Sequence, residues 1–155
     1  MTIGRQDDLA YSILLITPFL LYASMGTDPV HTGTWYLLVT PVVTLLPGLI
    51  LRAPALFLTG TTAAVLASLS CYLSIIFNQA RTDGLLALGH LFSMPGILLG
   101  TGLSAWLLRF RVNASLPWLV AGIAFLGATL GFMIVQMVVC TTVMYCSALS
   151  FGVWG

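Results

Sequence analysis

Long apolar stretches, interrupted by one or two charged residues at a time, organise the whole chain. The charges are Arg5, Asp7, Asp8, Asp28, Arg52, Arg81, Asp83, Arg109 and Arg111. Between them lie charge-free runs at 9–27, 29–51, 53–80, 84–108 and 112–155, of 19, 23, 28, 25 and 44 residues. A helix needs about 20 largely apolar residues to cross roughly 30 Å of hydrocarbon. Backbone polar groups inside that layer must be satisfied by the protein itself, so runs of this length are expected to be helices. Spans are placed near 9–25, 35–51, 55–77, 86–108 and 117–139.

The last run is the ambiguous one. As a single helix its 44 residues would extend about 66 Å, twice the hydrocarbon thickness. Either one helix crosses and an apolar tail over 140–155 packs outside through Tyr145, Phe151 and Trp154, or the run folds into a hairpin. Cys140–Thr141–Thr142 is a poor turn sequence, which favours a fifth span. The expected fold is therefore an all-α integral membrane protein, a compact bundle of five transmembrane helices. Four spans, with one long hairpin miscounted, is the alternative. No segment recurs at a period of 20–50 residues, so residues 1–155 are read as one domain.

Orientation follows from the arginines. With the N-terminus cytoplasmic, Arg5, Arg52, Arg109 and Arg111 lie inside and only Arg81 outside, as the positive-inside rule requires. Aromatic residues agree: Tyr11, Trp106, Phe110 and Trp118 fall at the inner boundary, and Tyr22, Trp35, Tyr36, Tyr72 and Phe77 at the outer one. Asp7 and Asp8 outweigh Arg5 ahead of the first run, which argues against a cleaved signal peptide. A bacterial inner membrane is the expected location.

Composition strengthens this picture. Of 155 residues, 59% are hydrophobic and 6% charged, with a mean hydropathy of +1.08. An ordinary soluble domain is about one quarter charged, so a soluble fold is excluded. A net charge of +1 without a basic cluster removes nucleic acid as a partner.

Small residues recur at helical spacing: Gly60, Ala64 and Ser68; Gly89, Ser93, Gly96, Gly100 and Ser104; Gly127 and Gly131. In lipid, helices associate through close backbone approach and polar contacts, and such stripes permit that approach. They serve packing within the bundle in the first instance. A face for another membrane protein, or for a second copy, is the sharper alternative. Pro18, Pro41, Pro47 and Pro95 lie inside predicted spans. Each tends to kink its helix, and broken helices line substrate paths in transporters. Proline is nevertheless tolerated in membrane helices generally.

Candidate chemistry is sparse. No Asp, Arg or His falls near the middle of a predicted span, so proton-relay and ion-coupling roles lack their usual residues. Gln136 is placed near the outer face, and Thr17, Thr44, Ser68, Thr101 and Thr129 are expected to bond the preceding helical turn. The chain has no Glu to match the acidic residue on which four-span multidrug antiporters rely. Asp28, His31, Arg81, Asp83 and His90 form a weak polar cluster on the outer side. Their spacing matches no metal-ligand pattern, so no metal, cofactor or catalytic residue is assigned. Cys140 and Cys146 could pair in a non-helical tail, though six residues apart they would face different ways on a helix. Cys71, within a span, is read as a small hydrophobe. Three cysteines do not supply the two pairs that a quinone-coupled disulfide-generating enzyme would need.

Function is then expected to rest on helix contact. One form is a subunit or accessory of a membrane complex, another an immunity protein against a membrane-inserting toxin, with lipid and a second membrane protein as partners. The alternatives are a small transporter or lipid-handling protein using the proline-kinked helices, and an enzyme with an outer-face His/Asp site.

Overall fold

The computed structural model describes residues 4–24, 34–78, 84–110 and 116–142, and there the chain forms five helices. The helices are α1 (Arg5–Ser24), α2 (Thr34–Ile50), α3 (Phe57–Asn78), α4 (Gly84–Phe110) and α5 (Pro117–Thr142). Each expected span coincides with one helix. α1 begins four residues before the expected span and takes Arg5, Asp7 and Asp8 into its first turns. α3, α4 and α5 are long and apolar enough to cross a membrane. α2 is apolar but has only 17 residues. Pro18, Pro41, Pro47 and Pro95 all sit inside helices that continue past them.

The corner between α2 and α3 shows how few local residues make a tight turn here. Arg52 N–H donates to the Leu49 carbonyl (3.3 Å) and Ala53 N–H to the Gly48 carbonyl (2.9 Å), while Arg52 has φ 50°. That is the paired bond pattern which ends a helix through a left-handed residue, a position glycine usually takes. Leu56, just before α3, is also left-handed at φ 67° and is buried. A leucine cannot cap the helix it precedes, so the cap comes from elsewhere. The Asp8 carboxylate, 1% exposed, accepts from Leu58 N–H (3.1 Å), Thr59 N–H (2.8 Å) and the Thr59 hydroxyl (2.7 Å). A buried carboxylate here is matched by free helix N-terminal donors and the helix dipole. At the other side of the corner, Arg5 donates to the Leu49 carbonyl (3.1 Å) and Arg109 to the Leu51 carbonyl (2.9 Å). α1 and α4 thus hold the corner through charged side chains satisfying helix ends.

α4 and α5 run antiparallel at backbone contact. A Cβ added to Gly96 would fall on the Gly131 carbonyl, one on Gly100 on the Gly127 carbonyl, and one on Gly127 on the Ser104 hydroxyl. Gly60 makes the same approach to the Ala121 carbonyl, joining the start of α3 to the start of α5. The small-residue stripes therefore pack within the chain at these positions. Phe57, Leu58, Ala105, Leu108, Val120 and Ala124 close the core at this end. The outward faces stay apolar, with Leu14, Leu103, Trp118 and Ile134 all more than 60% exposed.

Gly100→Leu should lower the thermal midpoint of the purified protein, since overpacking costs about 1–3 kcal/mol and here the obstruction is backbone. Gly102→Leu, two residues away with open space in its Cβ direction, should leave the midpoint unchanged or raise it. Equal effects of the two in thermal unfolding would contradict the packing.

Candidate functional site

α3 and α5 run parallel from their contact at Gly60 and Ala121 and then separate. A cavity of about 400 Å³ occupies the space between them. Its α3 wall is made by the small residues Ala64, Ala67, Ser68 and Cys71, with Tyr72 and Ile75 further along the helix. Phe125, Phe132 and Met133 of α5 face them, and Ile97 and His90 of α4 form the back. Ala67, Cys71, Phe125 and Met133 are exposed, so the cavity reaches the outer surface between α3 and α5. Ala64 and Ser68, both members of the small-residue stripe that begins at Gly60, line this cavity. The wall is almost wholly apolar; the hydroxyls of Ser68 and Thr129 bond the preceding turn at Val65 (2.8 Å) and Phe125 (2.8 Å).

His90 is the exception. It is 2% exposed and stands among three rings, with centroids 5.8 Å from Tyr36, 5.1 Å from Tyr72 and 5.1 Å from Phe132. Its Nδ1 is hydrogen-bonded to the Tyr36 hydroxyl, which also interacts with Thr40 one turn further along α2. The Ser68 carbonyl faces the ring without closing a hydrogen bond to Nε2. Among the described residues, two buried side-chain polar atoms have no hydrogen-bond partner, Thr62 Oγ1 and His90 Nε2. Of these two residues only His90 lines the cavity. A buried polar group without a partner costs about 1–3 kcal/mol.

Beyond His90, a second polar set ties α4 to α5. The Ser93 hydroxyl is shared between the Gly89 carbonyl (2.9 Å) and Gln136 Oε1, and Gln136 Nε2 donates to Cys140 Sγ (3.1 Å). Gln136 lines the end of the cavity with both amide atoms engaged. Cys140 is disulfide-bonded and Cys71 is a free thiol. Cys146 lies outside the described residues.

The weak polar cluster expected on the outer side is not described as a unit. Asp28, His31, Arg81 and Asp83 lie outside the described residues, and His90 faces inward, bonded to α2 rather than to a loop. Among the described residues, no three His, Cys, Asp or Glu side chains come together as metal ligands would. None of the four helix-interior prolines lines the cavity. The importance of Tyr36 and Tyr72 was hidden by their assignment to an interfacial belt. A histidine with aromatic residues on neighbouring spans at the same depth was the available signal. No protein-family model, curated protein or solved structure matches the chain.

Tyr36→Phe should destabilise the protein by about 1–3 kcal/mol, because it leaves both ring nitrogens of a buried imidazole without a partner. In a His90→Phe background the same change should cost much less. Additive effects in a double-mutant cycle of thermal or denaturant unfolding would contradict the pairing.

Proposed function

We propose that this chain is an integral membrane protein that holds a lipophilic molecule in the cavity between α3 and α5. In this reading all five helices cross, with the N-terminus in the cytoplasm of a bacterial cell. α1 and α2 extend about 30 and 26 Å, the first matching the hydrocarbon thickness and the second within reach of a locally thinned bilayer. The corner carrying Arg5, Arg52 and Arg109 then faces the cytoplasm, and the cavity opens sideways into hydrocarbon towards the outer half.

The cavity itself carries this reading. Tightly packed interiors leave few voids larger than a water molecule, and a space of about 400 Å³ is within the range of small-ligand sites. Its apolar wall suits an acyl chain, an isoprenoid or a lipophilic ring. Water would be held poorly, since a buried water wants two to four polar partners and the wall hydroxyls already bond their own helix. A role purely in contact with another membrane protein draws less support. Gly60, Gly96, Gly100, Gly127 and Gly131, which would have formed the docking face, are covered by the chain's own backbone.

Native mass spectrometry of the protein released from mild detergent should show one retained lipid-sized adduct. Ala67→Phe, which fills the mouth from an exposed position, should reduce its occupancy at least about tenfold, equivalent to about 1.4 kcal/mol. Leu103→Phe, on an exposed face away from the cavity, should not. No adduct on the wild type, or equal adducts on all three proteins, would refute the proposal.

A further inference from the structure

We infer that the corner between α2 and α3 binds the head group of an anionic phospholipid through Arg5, Arg52 and Arg109. This rests on the membrane-spanning orientation proposed above and is independent of the cavity. Three separate elements bring these residues together. Arg5 opens α1, Arg52 lies in the turn after α2, and Arg109 belongs to the last turn of α4. The Arg5 guanidinium and the Arg52 backbone N–H both donate to the Leu49 carbonyl, at 3.1 and 3.3 Å. The Arg109 guanidinium donates to the Leu51 carbonyl at 2.9 Å. The Cα atoms of residues 49 and 51 can be at most about 7 Å apart, so one short segment anchors both guanidinium groups. All three arginines are exposed.

Satisfying a carbonyl takes one donor, which a neutral side chain could supply. A guanidinium bonded once in this way keeps most of its five donors and its whole charge. The two carboxylates at this end do not balance that charge. Asp8 is 1% exposed and is engaged at both oxygens by the first donors of α3. Asp7, exposed in the first turn of α1, accepts from the Gly4 N–H at 2.8 Å. On the exposed surface three arginines thus stand against one aspartate, and Arg111 lies outside the described residues. Guanidinium groups match phosphate oxygens in a bidentate manner, and basic pockets between helices on the cytoplasmic side suit anionic lipid head groups. A phosphodiester with net negative charge meets the surplus, whereas a zwitterionic head group carries an ammonium that restores it. The surroundings are those of a membrane interface. Phe110 and Trp118 are exposed at this end of the bundle, and the Arg109 guanidinium lies 5.2 Å from the centre of the Phe110 ring. Amphipathic and aromatic side chains of this kind sit at head-group level.

The test reconstitutes the full-length protein in nanodiscs of equal phosphatidylcholine and phosphatidylglycerol with matched acyl chains. Lipids that stay on the affinity-purified protein after exchange into mild detergent are then quantified. The wild type should retain phosphatidylglycerol over phosphatidylcholine about 25-fold, since two surplus arginine charges contribute about fivefold each. Arg52→Gln, which leaves both carbonyl-anchored guanidinium groups in place, should lower the ratio to about fivefold. Arg81→Gln, in the segment joining the far ends of α3 and α4, should leave it unchanged. Equal retention of the two lipids by the wild type, or equal effects of the two substitutions, overturns the inference while the membrane-spanning reading stands. Failure of the wild type to enter the nanodiscs overturns both. Excess inorganic phosphate should not displace the retained phosphatidylglycerol; displacement would assign the site to a free anion and overturn the lipid. Should Arg52→Gln not fold, salt decides the question in the wild type. Raising it from about 0.1 to about 1 M shortens the screening length from about 10 to about 3 Å. The ratio should then fall, and an unchanged ratio overturns the inference.

Discussion

Close approach between glycine backbones sets the geometry of this protein. Once Gly96 and Gly100 sit against Gly131 and Gly127, α4 and α5 form a rigid antiparallel pair. Gly60 then fixes where α3 can touch that pair, at Ala121 near the start of both helices. Beyond this point α3 has no glycine to allow the same approach, and large side chains of both helices, Tyr72 and Ile75 on α3 and Phe125 and Phe132 on α5, stand between them. The helices must separate, and the space between them is the cavity. A void in a packed bundle forfeits dispersion contacts along its lining. Its persistence has a physical reason in this splayed arrangement, and a bound apolar molecule would restore those contacts.

Polar groups are few, and most of those described have a definite partner. Asp8 caps α3, Arg5 and Arg109 donate to the Leu49 and Leu51 carbonyls at the corner after α2, and Ser93 and Gln136 link α4 with α5. Each of these removes a cost that an unpaired group would impose in an apolar setting. His90 is held in the same way: its Nδ1 is hydrogen-bonded to the Tyr36 hydroxyl, and the rings of Tyr72 and Phe132 pack against the imidazole.

Much of the fold was legible in the chain, because charge spacing and helical length are local properties. The expected span at 86–108 became Gly84–Phe110, and that at 117–139 became Pro117–Thr142. At Gly60, Gly96, Gly100 and Gly131 a Cβ would collide with the backbone of another helix, an approach that only a residue without one allows. What remained hidden is non-local. Asp8 caps a helix whose start lies 50 residues away, although the lack of any Ser, Thr, Asp or Asn in Pro54–Ala55–Leu56 shows that α3 has no cap of its own. His90 bonds to a tyrosine 54 residues earlier, and depth alone placed both at an interface rather than inside. Ala64 and Ser68 continue the stripe from Gly60 in sequence, yet both line the cavity. A regular stripe could not indicate that its first residue makes a contact and its last one lines a gap.

The central claim is that the space between α3 and α5 is a site for a lipophilic ligand. Determining the structure of the protein in lipid nanodiscs tests it most directly. The account predicts elongated density between Ala67 and Met133, lying along Phe125 and Phe132. A cavity closed by direct contact of α3 with α5, or one containing only scattered water, would contradict it.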